Sequence, residues 1–139
     1  MLDVPDRIFE ALSARAVSGS PRRLLIADDE PHVRELLRDF LAGQGYEVVT
    51  VATGRQVLDT VPTFQPDVIL VDMIMPGLSG TDVLDAVRQR GVTVPVILIS
   101  GNRVPTCEGF FGVLTKPFDL RRLADLVAAA AASARPQPP

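Results

Sequence analysis

The fold is decided by residues 68–84, which read VILVDMIMPGLSGTDVL. The first four residues form a wholly apolar run, which is typical of a strand buried on both faces of a sheet. Asp72 ends that run, and a loop rich in proline and glycine follows it. Apolar residues at helical spacing then appear from Val83 to Val87. The segment therefore predicts a buried strand, a polar loop and a helix in succession, which is one unit of an α/β fold.

The same alternation of strands and helices extends in both directions along the chain. Four more strands are expected, at Leu24–Ala27, Tyr46–Val51, Val96–Ile99 and Gly112–Thr115. Helical spacing predicts a helix that begins near Pro31, a short helix that ends at Pro62, and a last helix capped by Asp119. Buried strands that alternate with helices predict a doubly wound five-stranded parallel sheet with helices on both faces.

Composition limits the class of protein and its location. The chain has 139 residues, of which 47% are apolar and 22% charged, as expected of one globular domain. A net charge of −3 offers no electrostatic footprint for direct contact with nucleic acid. The longest apolar run, Leu126–Ala132, is too short to cross a membrane, and charged residues near the start argue against a signal peptide. The single cysteine, Cys107, favours a reducing compartment, so we expect a cytoplasmic protein.

The two ends differ in character from the middle. Residues 1–21 are expected to form an N-terminal extension, with a short amphipathic stretch followed by a flexible joint at Ser18–Pro21. The apolar residues at helical spacing in that stretch are Ile8, Phe9, Leu12 and Ala16. Residues 22–132 are the expected folded domain, and residues 133–139 the expected disordered tail.

Polar groups follow four of the predicted strands, at the point where each strand ends. They are Asp28-Asp29-Glu30, Asp72, Ser100 and Thr115-Lys116-Pro117. The carboxyl ends of parallel strands meet at one edge of a sheet, which is where ligands bind in open α/β folds. Nearby carboxylates repel one another, and Mg²⁺ relieves that repulsion. Asp72 could then act as a nucleophile toward phosphorus, with Lys116 neutralising the phosphoryl oxygens.

This set of motifs resembles the receiver domain of bacterial two-component response regulators. The matching stretches are LLIADDEPHVRELL at 24–37, VILVDMIMPGLSGTDVL at 68–84, VPVILIS at 94–100 and LTKPF at 114–118. The resemblance spans about Arg22 to Ala132 and implies a flavodoxin-like receiver fold for residues 22–132.

The resemblance also implies a role for each matching site residue. Asp72 matches the phosphoacceptor, Ser100 the hydroxyl that meets the phosphoryl group, and Lys116 the phosphate-pairing lysine, which a cis peptide usually follows. The implied Mg²⁺ ligands are Asp29 directly, Asp28 through a metal-bound water, Asp72, and the backbone carbonyl of Ile74.

Two departures from the family pattern are expected to matter. Val113 occupies the position at which the family carries its aromatic switch residue. Phe111, two residues earlier, is expected to lie on the same face of strand five as Val113. The crossover Gly101–Phe110 is too short and proline-containing for a full helix, so the family's fourth helix is expected to be shortened or absent. That loss would leave partly exposed the apolar side chains of strand five and of the facing side of the last helix, namely Leu123, Leu126 and Val127. A second copy of the chain, as a homodimer, or Ile8–Ala16 folding back would then cover the face.

The expected function is that of a stand-alone phospho-receiver. A histidine kinase or histidine phosphotransfer protein would phosphorylate Asp72. Because too few residues follow the last helix for a DNA-binding domain, we expect a downstream protein to receive the signal by direct contact. A fragment of a longer protein is the other interpretation of the same ends. One alternative is a receiver-like scaffold that binds its partner regardless of phosphorylation. The other is a phosphatase, which the apolar Ile74 disfavours because such enzymes usually carry an acid there, so we expect no enzyme with turnover.

Overall fold

The computed structural model describes residues 21–101 and 108–133, which form five strands and four helices. The strands are β1 (Arg23–Ala27), β2 (Glu47–Val51), β3 (Val68–Asp72), β4 (Val96–Ser100) and β5 (Gly112–Thr115). The helices are α1 (Pro31–Gly43), α2 (Gly54–Phe64), α3 (Gly80–Gln89) and α4 (Leu120–Ser133). The predicted alternation of strands and helices is confirmed. Pro31 lies in the first turn of α1, and Asp119 Oδ1 accepts a hydrogen bond from the Arg122 amide at the start of α4.

All five strands are parallel and lie in the order β2-β1-β3-β4-β5. This order confirms the predicted doubly wound sheet, in which the chain runs from β1 to one edge and then crosses to the other. The register places Asp72 opposite Ile99 and Ser100 opposite Thr115. The polar residues that end the strands therefore come together at the carboxyl edge of the sheet.

The sheet separates two apolar clusters that have no residue in common. On one face, α1 and α4 pack against alternate strand residues such as Ile26 and Leu70. On the other face, α2 and α3 pack against the intervening strand residues, such as Leu25 and Ile69. Because the apolar residues of β1, β3 and β4 are fully buried on both faces, these three strands show the unbroken apolar runs that the sequence displays.

The expectation that Leu123 and Val127 would be exposed is wrong. Both side chains are fully buried in the cluster between α4, α1 and the sheet, and only Leu126 is partly exposed. Right-handed crossovers place the β4–β5 connection on the same face as α2 and α3. The last helix, α4, does not connect two strands, and it covers the opposite face of the sheet beside α1. A shortened β4–β5 connection therefore does not expose the side of α4 that packs on the sheet.

The β4–β5 connection contains no helix among its described residues, which are Gly101 and 108–111. Its middle part, residues 102–107, lies outside the described residues. This part contains Cys107 and Pro105, the proline that led us to expect a shortened or absent helix. After that gap, Phe110 packs against the cluster of α2 and α3.

The second helix continues past Pro62 to Phe64, so the prediction that Pro62 ends it is wrong. A proline inside a helix leaves the carbonyl four residues earlier without its amide donor. That carbonyl belongs to Leu58, and it accepts a hydrogen bond from Arg90 Nη1 at 3.4 Å instead. Arg90 follows α3, so a contact from another element compensates for the proline.

Gly80 is expected to tolerate no side chain, because a Cβ there would lie 2.9 Å from the backbone oxygen of Asp72 and 2.7 Å from Leu98 Cδ1. Gly80→Ala should lower the free energy of unfolding by about 1–3 kcal/mol, as overpacking does. The measurement is urea denaturation. Gly43→Ala is the matched control: a Cβ at Gly43 meets nothing within 4 Å, and the change should be neutral or stabilise by about 0.5–1 kcal/mol. Equal stability of Gly80→Ala and wild type would show that the sheet edge yields to the methyl group.

Candidate phosphoryl-acceptor site

Three carboxylates converge where β1 and β3 end. Asp28 and Asp29 follow β1 directly, Asp72 is the last residue of β3, and one oxygen from each lies within 4.8 Å of the others. Asp28 and Asp72 are buried, whereas Asp29 is exposed. The cluster therefore has a closed side, formed by the sheet, and an open side through which an ion or a phosphoryl group could enter.

Lys116 brings a positive charge to the same place. Its Nζ lies 3.5 Å from Asp72 Oδ2 and 3.8 Å from Asp28 Oδ2, and 34% of its side chain is exposed. The Lys116 amide donates a hydrogen bond to the Ser100 carbonyl at 2.7 Å, which fixes the exit of β5 beside β4. The Lys116–Pro117 peptide bond is cis, as the family resemblance implies.

Asp28 has one carboxylate oxygen that accepts no hydrogen bond. The Glu30 amide donates to Oδ1 at 2.9 Å, but Oδ2 is buried without a hydrogen-bond donor. Buried polar atoms are nearly always hydrogen-bonded, and each exception needs an explanation. A bound cation, or a water molecule on that cation, would satisfy Oδ2, so the three carboxylates fit a hard divalent ion such as Mg²⁺.

Burial raises the pKa of Asp28 above its ordinary value of 3.8, and the carboxylates of Asp72 and Asp29 act in the same direction. The Glu30 amide and Lys116 oppose this shift only in part. The folded chain therefore holds a proton on Asp28 at pH values where the unfolded chain has lost it, and stability must fall as pH rises through that window.

Asp28→Asn is accordingly expected to be more stable than wild type at neutral pH in the presence of EDTA. The amide keeps the shape and carries no charge to desolvate, and the advantage should shrink as pH falls toward 3.8. Urea denaturation at several pH values measures the difference. Adding Mg²⁺ should narrow the gap, since an ion that binds the folded state stabilises wild type. An Asp28→Asn variant that is less stable at every pH would contradict the charge argument.

The remaining predicted site residues lie at the edge of this cluster. Ser100 is buried at the end of β4, in the strand next to Asp72. Ile74 follows Asp72 by two residues, and its side chain is 67% exposed. Its backbone carbonyl as a metal ligand stays a prediction.

Two residues that support the site were not singled out from the sequence. Arg34 Nη1, from α1, donates a hydrogen bond to the backbone carbonyl of Asp28 at 2.8 Å. Gly80 lets α3 begin directly against the backbone of Asp72, and its amide donates to the Met73 carbonyl at 3.0 Å. The sequence marks both residues only weakly. Arg34 lies in the first turns of the helix predicted after Asp28-Asp29, and Gly80 belongs to a Ser-Gly pair just before the helix predicted after Asp72.

The aromatic residues near the switch position lie differently from the expectation. Val113 and Phe110, rather than Phe111, pack against the cluster of α2 and α3, and Phe111 is 40% exposed. The regular strand begins only at Gly112, so the period of two does not extend back to these residues. The side chain at the switch position is thus a partly buried valine.

None of the helices formed by residues 21–101 and 108–133 combines the length and apolar character needed to cross a bilayer.

Comparison with known sequences supports one family. Residues 24–128 match the family model described as the response regulator receiver domain. The response regulator MprA of Mycolicibacterium vanbaalenii is 35% identical over 109 residues, which cover 74% of this chain and 47% of the relative. The DNA-binding transcriptional regulator NtrC of Klebsiella pneumoniae is 35% identical over 108 residues, which cover 73% of this chain and 23% of the relative. The chain therefore spans about a quarter to a half of the length of these relatives.

Solved structures lead to the same family. The chemotaxis response regulator CheY4 of Vibrio cholerae superposes with a TM-score of 0.74 at 28% identity, covering 80% of this chain and 99% of that one. The response regulator TrrA of Thermotoga maritima, solved in complex with Mg²⁺ and BeF, superposes with a TM-score of 0.73 at 28% identity, covering 78% and 98%. With its five-stranded parallel sheet and the acidic cluster at the carboxyl edge, the chain belongs to the receiver domains of two-component response regulators, which are phosphoacceptor signalling domains.

Proposed function

We propose that Asp72 accepts a phosphoryl group from a phosphohistidine of a histidine kinase or histidine phosphotransfer protein. The observation that carries the proposal is the placement of Lys116 Nζ 3.5 Å from Asp72 Oδ2, inside a cluster of three carboxylates. A carboxylate held beside a fixed cation is suited to attack phosphorus, because the charge on the transferring group is compensated as it arrives.

The residues divide the chemistry of that step among them. A carboxylate oxygen of Asp72 forms the new bond to phosphorus while the phosphorus–nitrogen bond to the donor imidazole breaks, and the imidazole leaves with the electron pair of that bond. Lys116 pairs with the phosphoryl oxygens, and the hydroxyl of Ser100 donates a hydrogen bond to one of them. Asp28, Asp29, Asp72 and the Ile74 carbonyl would hold Mg²⁺, which supplies positive charge against the phosphoryl oxygens.

This chemistry modifies the chain itself and turns over no separate substrate. The phosphoryl group enters and leaves Asp72, and the chain catalyses only its own phosphorylation and dephosphorylation. The signal then passes to a downstream protein by contact, in the cytoplasm. Direct contact with nucleic acid is not expected at a net charge of −3, although curated relatives such as NtrC are named as DNA-binding regulators.

The test is phosphorylation of the full chain by a small phosphodonor. The chain is incubated with acetyl phosphate and Mg²⁺, and intact-mass spectrometry should show the addition of one phosphoryl group. A parallel sample with EDTA should show almost none, because the carboxylate cluster then lacks its counterion. No addition with Mg²⁺, or equal addition in EDTA, would overturn the proposal.

A scaffold that signals independently of phosphorylation is the second candidate, and Val113 favours it. A partly buried valine has no ring that could move between a surface and an interior position. Amide chemical shifts recorded with acetyl phosphate and Mg²⁺ separate the two functions. Shifts that extend from the site to Val113 and α4 support the phosphorylation-dependent function, whereas shifts confined to the site loops support the scaffold.

The aspartyl phosphate is expected to be long-lived because of Ile74. Hydrolysis needs a water molecule positioned in line with the phosphorus, and the apolar Ile74 side chain offers it no hydrogen bond. Ile74→Asn should therefore speed loss of the phosphoryl group, measured by mass spectrometry after the phosphodonor is removed. Ile74→Leu is the matched control and should decay like wild type. Asn102, which could also orient a water molecule, lies outside the described residues, and an unchanged rate in Ile74→Asn would show that Ile74 is not the barrier.

A further inference from the structure

A continuous apolar groove runs between α2 and the end of α3, on the side of the domain opposite the acidic cluster. Two adjoining cavities of about 260 Å³ and 320 Å³ form it, and both are lined by Val61, Pro62 and Val92. We call it the α2–α3 groove; Leu58 and Val87 extend it at one end and Pro66 and Val94 at the other. Its residues lie in the C-terminal halves of the two helices and in the turns that precede β3 and β4, which is why it is remote from the carboxyl edge of the sheet.

The lining of this groove is suited to an apolar peptide face. Small-molecule sites usually combine an apolar wall with several convergent polar groups. Here the one charged lining residue is Arg90, and its Nη1 atom already donates to the Leu58 carbonyl. A groove between two helices that offers apolar side chains and few polar partners is the kind that accepts the apolar stripe of an amphipathic helix.

The start of the described chain lies directly beside this groove. The Arg23 amide donates to Asp67 Oδ2 at 2.8 Å, and Arg23 Nη1 donates to the Phe64 carbonyl at 2.9 Å. Arg22 forms an ion pair with Asp67 as well. These contacts hold the chain, where it enters β1, against the turn between α2 and β3. Gln65 and Pro66 of that same turn line the groove, so the described chain begins, at Pro21, beside its rim.

We propose that the amphipathic segment Ile8–Ala16 of the same chain docks in the α2–α3 groove through Ile8, Phe9 and Leu12. As a helix, this segment would place those three residues and Ala16 on one face and Glu10 on the opposite face. The five steps from Ala16 to Pro21 can span roughly 17 Å when extended, which is enough for the chain to turn back at its exit. A tether this short gives the segment an effective concentration in the millimolar range, which favours docking within one chain over docking between two.

The experiment uses the full chain with a nitroxide label at the groove. Cys107→Ser removes the native thiol, Thr93→Cys on the groove rim carries the label, and amide signals of residues 8–16 are followed by NMR. The proposal expects these signals to broaden, whereas a label at Arg38→Cys on exposed α1 should leave them sharp. Sharp signals with the groove label, or equal broadening from both labels, would overturn it.

Two substitutions and a mixing experiment identify the occupant. Leu12→Ser, in the segment, and Val92→Ser, in the groove, should each abolish the broadening, while the matched control Glu10→Ser should keep it. Thermal unfolding checks that Val92→Ser is folded; if it is not, the Leu12→Ser variant decides the result. In the mixing experiment, isotope-labelled chains without nitroxide are combined with unlabelled chains that carry it. Broadening in the mixture would show that a second copy supplies the segment, and would overturn docking within one chain.

Discussion

Replacing Asp72 by asparagine is expected to abolish the addition of a phosphoryl group by acetyl phosphate and Mg²⁺. The amide has nearly the shape of the carboxylate, so the end of β3 should keep its structure, but it lacks the negatively charged oxygen that attacks phosphorus. The loss should be complete within the sensitivity of intact-mass spectrometry, because no other carboxylate of residues 21–101 and 108–133 lies as close to Lys116 Nζ as that of Asp72, at 3.5 Å.

Asp85→Asn is the matched control for this substitution. Asp85 is an exposed residue of α3 outside the acidic cluster, so its loss removes a carboxylate of the same type without touching the site. Asp85→Asn should gain the phosphoryl group like wild type. Peptide mapping of phosphorylated wild type should place the group on Asp72. Equal addition to wild type and Asp72→Asn would show that the acceptor is a different residue.

Lys116→Met is expected to have two large effects of opposite sign. Phosphoryl transfer from acetyl phosphate should slow by about 10²–10³-fold, which is the usual cost of removing one group that stabilises the transition-state charge. Mg²⁺ should bind more tightly, because the ammonium that lies 3.5 Å and 3.8 Å from two carboxylate oxygens no longer competes with it. The aliphatic part of the side chain is retained, so the substitution removes the charge with little other change.

Separate measurements of the two effects distinguish the role of the charge from a structural role. Calorimetric titration measures Mg²⁺ affinity, and the initial rate of mass gain measures transfer. Arg121→Met, which removes an exposed cation at the start of α4, should change neither. A Lys116→Met variant that loses Mg²⁺ affinity together with transfer would indicate that Lys116 holds the carboxylates in place rather than neutralising the phosphoryl group.

The sheet and the convergence of its polar residues could be predicted from the sequence because both depend on local patterns. Val68–Val71 is apolar at every position since both faces of β3 are covered, and Asp72 follows as the last residue of the strand. Since the strands are parallel, the residue that ends each run must lie at the same edge. Asp28, Asp72 and Ser100 therefore meet without any further information from the sequence.

The features that could not be predicted depend on contacts between distant parts of the chain. Pro62 stays inside α2 because Arg90, far along the chain, donates to the carbonyl that the proline leaves without a donor. The burial of Leu123 and Val127 depends on which face of the sheet α4 covers, and that follows from the handedness of the crossovers before it. Helical spacing identifies an apolar face but does not say which neighbour covers it.

The two apolar clusters on either side of the sheet have a consequence for how the domain can change over generations. Their helices contact different strand residues, so a substitution of a core residue in α2 or α3 and one in α1 or α4 fall in separate apolar clusters. The stability effects of such a pair should add, with no coupling between them beyond a few tenths of a kcal/mol. A lineage can therefore remodel the surface on one side to suit a new partner while the surface on the other side remains under separate selection.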